Sequence, residues 1–234
     1  MRELDQLFGA LLEVIDKNGG LENTVVVLTA DHGEHLGDHH MLDHQYSVFN
    51  ELLEVPLIIH YPAGFAPGRD DRPASNLDLF PTLLALAGVA APDGFDYRGL
   101  DLRRLEDQRL RLAAYPAWVP VGIRNVREGN PGFDGKPWQR SLTAFFQGDY
   151  KLIHASDDRH ALYDLALDPR ESHNLAGVEP EALATLLAAF AEYQGGLRQP
   201  AASAAPDARM TPAELRRLES LGYVDGSEIE DGDD

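Results

Sequence analysis

The chain contains no cysteine. Disulfides, thiolate metal sites and a cysteine nucleophile are therefore excluded, while the compartment stays open. Long apolar runs are missing too, and nothing approaches the roughly 20 apolar residues that a membrane-spanning helix needs. Met1 leads straight into Arg2-Glu3-Leu4-Asp5, so no signal peptide is visible and a soluble chain is expected. Positive charge is scarce: 20 Lys and Arg stand against 39 Asp and Glu, a formal charge of −19. A nucleic-acid binder needs a basic face, so the balance argues against that class of partner. Part of the acidity sits in residues 225–234, a solvated tail, and solubility is the simple reading of the rest.

What is present suffices for a globular fold. A chain of 234 residues, 44% of them hydrophobic, can bury one sizeable core with or without a small satellite domain. Leu4, Leu7, Phe8, Leu11, Leu12 and Ile15 recur at helical spacing, and Asn18-Gly19-Gly20 ends that helix. Residues 25–29 (VVVLT) read as a buried strand. Helix, short loop and strand in this order predict an α/β layer with parallel strands. Residues 46–53 predict a helix and 55–61 the next strand, with Pro56 at its start, where a missing N–H is tolerated. After a Gly- and Pro-rich loop, a helix is expected over 76–87, capped by Gly88, and Pro81 implies a late start or a kink. Residues 89–140 read as irregular.

From Ser141 the periodicity changes. Residues 142–146 and 150–154 flank a Gln147-Gly148-Asp149 turn as a β-hairpin, and 161–165 is a third short strand. An alanine-rich helix covers 180–193 and an Ala-, Pro- and Ser-rich linker follows. A last helix is expected over 211–221, with Thr211 as N-cap, Pro212 at the first position and Glu214 completing a capping box. The expected architecture is α/β over residues 1–140, a small antiparallel β/α subdomain over 141–198, and a linker, terminal helix and acidic tail over 199–234. There is no internal repeat.

The chemistry concentrates in one stretch. Residues 25–43 read VVVLTADHGEHLGDHHMLD, His44 follows, and five of the nine histidines lie between His32 and His44. Asp31 ends the strand, and in open α/β sheets ligands bind beyond the carboxyl ends of strands. Asp31 offers a hard oxygen and His32 an imidazole nitrogen, the donors that a divalent cation takes, and Gly33 permits a sharp exit of the chain. A lone Asp-His pair would more simply be a cap and a loop residue. The preceding strand and the following histidines argue for a site. Among His35, His39, His40 and His44 the strongest candidate is His44, which precedes a helix and can donate a proton near neutral pH. Glu34 reads as holding a loop amide and Glu51 as a surface acid of a helix. His60, His154, His160 and His173 are isolated and read as packing or surface groups. A cleft between the late strands and the main layer is the natural place for substrate selection.

At this point the residues resemble a known family. TADHGEHLGDHHMLDH, continuing into VFNELLEVPLIIHYPAG, is similar to the sulfatase family within the alkaline phosphatase superfamily. NLDLFPTLLALAGV, DYKLIH with ALYDLALDPRESHNLA, and ELRRLESLGYV resemble further pieces of that family in the same order. The resemblance implies a partial alkaline-phosphatase-like sheet layer with helices, followed by the small antiparallel β subdomain and its packed helix. It implies hydrolysis of a small-molecule or carbohydrate sulfate ester. The family's DHG motif supplies two ligands to a divalent metal, Ca2+ first and Mg2+ as the alternative, which places those roles on Asp31 and His32. A family lysine about twelve residues beyond that histidine contacts the sulfate and the leaving oxygen; His44 stands at that spacing and takes the catalytic role with a shorter, titratable side chain.

Two family features have no counterpart in this sequence: an opening strand with metal-binding aspartates, and a C/S-x-P-x-R motif whose Cys or Ser becomes the formylglycine nucleophile. The resemblance therefore implies the C-terminal part of a sulfatase, with formylglycine, its arginine and the remaining metal ligands expected on a preceding segment. A hard cation takes about six ligands, so Asp31 and His32 alone should bind weakly. A sheet of so few strands would leave an apolar edge open to self-association. Two other functions stay open. One is a phosphodiesterase or phosphonate monoester hydrolase of the same superfamily, because the nucleophile decides between them. The other is a non-catalytic, truncated or degenerate domain. Relatives are often periplasmic or secreted, which leaves the compartment of this chain undetermined.

Overall fold

A computed structural model describes residues 2–91, 98–107, 109–116 and 121–196, together with Thr211, Ala213, Glu214 and Arg217. Helix α1 (Arg2–Gly19) forms as its spacing predicts, with Glu3 and Asp5 in the first turn and Lys17 in the last, as the helix dipole favours. None of its residues is buried. Strand β1 (Val26–Thr29) follows, half-buried along its length. The chain then makes a small hairpin of β2 (His35–Leu36) and β3 (Leu42–Asp43), a one-turn helix α2 (Asn50–Leu53), and strand β4 (Leu57–His60).

Strands β1 and β4 pair antiparallel, with Val26 opposite His60 and Thr29 opposite Leu57. The expectation of parallel strands is thereby corrected. A parallel partner needs a crossover that returns the chain to the end where the first strand began. Residues 30–56 hold the short hairpin with a 3₁₀ turn at Asp38–His40 and one turn of α-helix, so the chain re-enters at the end it left. The helix expected over 46–53 shrinks to α2, because Tyr46 has a left-handed φ of 71° and Phe49 is extended. Helix α3 (Leu79–Ala87) starts late, after a 3₁₀ turn at Asn76–Asp78 with a Ser75/Asp78 capping box, so Pro81 falls harmlessly in its first turn. Gly88 ends it at φ 67°.

Strand β5 (Arg111–Tyr115) and helix α4 (Val121–Gly129) lie within the stretch read as irregular. The sequence RLAAY hides β5, since its two alanines carry little strand preference; pairing with the next strand fixes it. Strands β6 (Leu142–Gln147), β7 (Tyr150–Ala155) and β8 (Ala161–Asp164) complete an antiparallel sheet in the order β5-β6-β7-β8, and α5 (Pro180–Gly196) closes the unit. The sheet therefore takes its edge strand from ahead of residue 141.

Both faces of this sheet are covered. Phe145, Leu152 and Leu162, neighbours across three strands, pack on Leu186 and Phe190 of α5. Ala144, Phe146, Ile153 and Tyr163 point the other way and pack on Val48, with Phe49 and Leu53 alongside. Each buried Leu, Ile or Phe side chain among them contributes about 1.5–3 kcal/mol. The segment that follows Asp31 and His32 is thus pressed against a wall built from the late strands. Thr211 and Glu214 form the expected capping box, with Thr211 N donating to Glu214 Oε2 at 2.8 Å. Apart from Ala213 and Arg217, the rest of the last helix, the linker and the acidic tail lie outside the described residues.

Candidate active site at the Asp31–His32 turn

The backbone beyond β1 is anchored before it reaches the site. Asn76 Nδ2 donates to the Ala30 carbonyl at 2.9 Å, and Thr29 Oγ1 donates to Asn76 Oδ1 at 3.3 Å. Asp31 then projects into solvent with a side chain 77% exposed, beside a His32 side chain 36% exposed. Asp31 Oδ1 accepts the His32 amide at 3.0 Å. That hydrogen bond, aided by the imidazoles of His32 and His44, holds its carboxyl below the usual carboxylate range. Asp31 Oδ2 lies 3.8 Å from His32 Nε2. His32 Nδ1 meets the Gly33 carbonyl at 2.9 Å, so with Nδ1 as donor the Nε2 lone pair faces the carboxylate side.

Gly33 matters for closeness and not for an unusual dihedral. Its amide donates to the Leu52 carbonyl at 2.8 Å, and a Cβ added to it would clash with the Glu51 carbonyl oxygen. It is absent from the described positive-φ glycines, so the sharp exit expected of it is replaced by a tight approach to α2.

His44 comes to the same place. Its ring stacks on His32 with centroids 4.5 Å apart and planes 21° apart. His44 Nδ1 lies 2.8 Å from Asp43 Oδ1 and 3.4 Å from Glu34 Oε2. Glu34, expected to hold a loop amide, thus partners His44. Glu34, Asp43 and His44 each offer a ligand atom within 4.8 Å of one another, which makes the patch rich in donors. Asp31 and His32 suit a divalent cation by donor type and by exposure, and supply two of the roughly six ligands such an ion takes.

The neighbouring histidines brace the loop. His35 is buried at 1% exposure with Nε2 2.7 Å from Ser47 Oγ, and burial pushes its pKa down. His39 stacks flat on Phe49 at 3.7 Å and sets Nε2 3.4 Å from Glu51 Oε2, so Glu51 is a partner within the loop where a surface acid was expected. His40 is exposed. His39, His40, Asp43 and Tyr46 all have left-handed φ, between 52° and 75°, a concentration of strain that non-glycine residues hold only where their surroundings enforce it. His154 and His160, read as isolated, stack on each other at 4.7 Å within the late strands.

Beyond His44 the chain borders a cavity of about 400 Å³ between residues 46–49 and the end of the sheet. Tyr46, Trp138, Arg140, Arg159 and His160 help to line it. Tyr46 and Trp138 meet edge to face at 5.6 Å, and Arg140 and Arg159 converge on Asp157 at 3.4 and 2.6 Å. The sequence reading missed these groups, as it missed Lys151 and Glu171, which are wholly buried beneath α2. A lysine beside Leu152 and Ile153 in the YKLIHA strand was the available signal.

Comparison with known proteins identifies the family of the chain. The sulfatase family model matches residues 1–89. N-acetylglucosamine-6-O-sulfatase of Bacteroides thetaiotaomicron is 32% identical over 180 residues, covering 74% of this chain and 30% of that protein. Arylsulfatase A of Homo sapiens is 33% identical over 213 residues, covering 80% of this chain and 41% of that protein. The solved phosphonate monoester hydrolase of Agrobacterium radiobacter shares the fold with a TM-score of 0.65 at 24% identity, over 83% of this chain and 39% of its own. The chain spans less than half the length of the curated relatives it matches. Among the described residues, no helix is long and apolar enough to cross a membrane. The chain belongs to the sulfatase family of the alkaline phosphatase superfamily.

Proposed function

We propose that this chain carries the metal-ligand and leaving-group side of a metal-dependent sulfate monoester hydrolase, with its nucleophile on the part of a sulfatase that the chain does not span. The observation that carries this reading is the meeting of three side chains: an exposed, readily ionised Asp31, a His32 whose Nε2 is 3.8 Å away, and a His44 stacked on His32. Asp31 and His32 hold the divalent cation, calcium first and magnesium as the alternative. Bound there, the cation supplies charge neutralisation for the ester. His44 directs Nδ1 at Asp43, which leaves Nε2 to face the ester and to give its proton to the leaving oxygen. Stacking on His32 fixes the plane of that ring.

Selection falls to the neighbouring cavity. Tyr46 and Trp138 offer faces for a sugar ring, and Arg140 and Arg159 favour an anionic one. A carbohydrate sulfate ester is the substrate class that this lining suits, in keeping with the N-acetylglucosamine-6-O-sulfatase among its relatives.

The test begins with the metal. Calcium titrated into the chain, followed at the His32 ring by NMR, should bind saturably at roughly millimolar concentration, as expected for so few ligands. Asp31→Ala should abolish the response. Equal binding by that variant removes the cation from Asp31 and overturns the reading. Vigorous hydrolysis of an aryl sulfate by the chain alone would show that no essential part lies elsewhere. Once joined to a nucleophile-bearing remainder, faster turnover of a phosphonate monoester than of a sulfate monoester would move the activity to that class.

A further inference from the structure

Lys151 lies in β7 and Glu171 in the turn beyond β8, yet both side chains are 0% exposed and both reach across to α2. Glu171 Oε2 accepts the amide of Asn50, the first residue of α2, at 2.6 Å. Lys151 Nζ donates to Asn50 Oδ1 at 2.8 Å and faces Glu171 Oε1 at 2.7 Å, a charge contact in which that oxygen lacks a well-angled hydrogen bond. Lys151 lies between Phe146 and Tyr163 on the sheet face that covers residues 48–53, with its ammonium 5.2 Å from the Phe146 ring. Burial pulls the Lys151 pKa down and the adjacent Glu171 opposes it. Glu171 itself adopts a left-handed φ of 52°, a backbone cost that a purely space-filling residue would not need.

An apolar pair would fill this space as well or better, since a buried ion pair is weak support for stability. Its use lies in what Asn50 is attached to. Two residues on, the Leu52 carbonyl takes the Gly33 amide at 2.8 Å, and the Glu51 carbonyl lies against the Gly33 α-carbon. Gly33 adjoins His32 directly. One helical turn therefore connects a buried charge pair, its lysine in β7 and its glutamate in the turn beyond β8, to the Asp31–His32 turn.

We propose that Lys151 and Glu171 are positioning residues that hold the Asp31–His32 turn in place through α2. The metal-binding consequence rests on the cation reading above; the mechanical coupling does not. The late sheet thus sets the geometry of a turn more than a hundred positions earlier in the chain, and Glu171 acts as an acceptor for the Asn50 amide more than as a source of charge.

The test uses two neutral double variants of the full chain. Lys151→Met/Glu171→Met removes the pair and the acceptor without leaving a buried charge alone. Lys151→Met/Glu171→Gln removes the charge and keeps a carbonyl oxygen for the Asn50 amide. Amide hydrogen exchange at Gly33 is measured against exchange in β6 and β7. The Met/Met chain should lose about tenfold protection at Gly33 relative to the strands, the worth of one hydrogen bond. The Met/Gln chain should retain most of it. Leu186→Ala, on the opposite face of the sheet, should change Gly33 only in step with global stability. Calcium affinity read at the His32 ring should fall about tenfold in the Met/Met chain alone, to the same extent as protection. Unchanged relative protection at Gly33 in the Met/Met chain would overturn the proposal. So would an equal selective effect of Leu186→Ala, or outright unfolding of the Met/Met chain, which would assign the pair to the fold as a whole. If the parent chain binds no calcium, the cation reading fails while the exchange comparison still decides the coupling.

Discussion

Helices α1 and α5 are 18 and 17 residues long, and both are rich in leucine and alanine or interspersed acids, yet the first buries nothing and the second anchors a core. Along α1, Leu4, Leu7, Leu11 and Val14 are each more than half exposed on a sharply one-sided apolar stripe. On α5, Leu186 and Phe190 are all but closed off by Phe145, Leu152 and Leu162. The same division runs through the molecule. Residues 2–91 expose Leu36, Leu42, Ile58, Leu77 and Phe80, while the sheet of β6, β7 and β8 has hardly an unfilled position on either face. An apolar stripe states which face of a helix needs cover; it does not state that the cover lies in the same polypeptide.

Substitutions that cut one region and spare the other break this comparison if it is wrong. The largest difference is expected between Phe145→Ala and Leu7→Ala. Phe145 is 0% exposed, so its loss should cost about 3–5 kcal/mol in denaturant unfolding. Leu7 is 68% exposed, and its loss should stay within about 0.5 kcal/mol. A comparable cost at both positions would show that α1 has a partner within this chain.

A smaller effect sharpens the contrast, because the part of the chain before β5 has a well-made interior of its own around Asp78. Asp78 is 0% exposed and accepts from Ser75 N at 2.7 Å, Leu100 N at 2.8 Å and Arg109 Nη1 at 2.6 Å. Asp78→Ala strands the largely buried guanidinium of Arg109 and two amides, and should cost about 3 kcal/mol. The loss should appear in exchange from α3 before it appears in β6 or β7. Simultaneous loss in both regions would mean that they unfold as one unit and that the division drawn here is only one of burial.

The two regions also differ in how much of them could be read in advance. The hairpin of β6 and β7 announces itself through strand-forming residues either side of a Gly-containing turn, and Gly148 indeed sits at φ 59°. The ending of α3 at Gly88 is equally local. Asp31, His32 and His44 could be named because they crowd one short stretch, and the structure brings all three together. What escaped was non-local. The antiparallel pairing of β1 with β4 depends on where residues 30–56 carry the chain, which no period reveals. Strand β5 exists because β6 is there to pair with it. Glu171 looks like any acid in a turn until the fold sets it under Asn50.

The smallest expected effect is a pH response, and it probes each region through one histidine. Burial lowers the pKa of His35 in the early loop and of His154 in the late sheet, the latter with help from the neighbouring His160. A folded pKa below the ordinary 6.5 means that the opened chain binds the proton more tightly. Stability from each histidine is therefore complete above pH 6.5 and is lost as pH falls from there through the lowered folded value. For one proton the slope cannot exceed about 1.4 kcal/mol for each pH unit. Acidification should loosen the Ser47 and Gly33 amides through His35, whose ring Nε2 meets Ser47 Oγ, and the contact of β7 with α5 through His154, which lies 4.9 Å from the Phe190 ring. Intrinsically corrected exchange in His35→Gln should show a flattened response at Ser47 with the β7 response intact, and His154→Gln should show the reverse. An undiminished acid response at Ser47 in His35→Gln would assign it to another group and detach His35 from the integrity of the loop that carries the site.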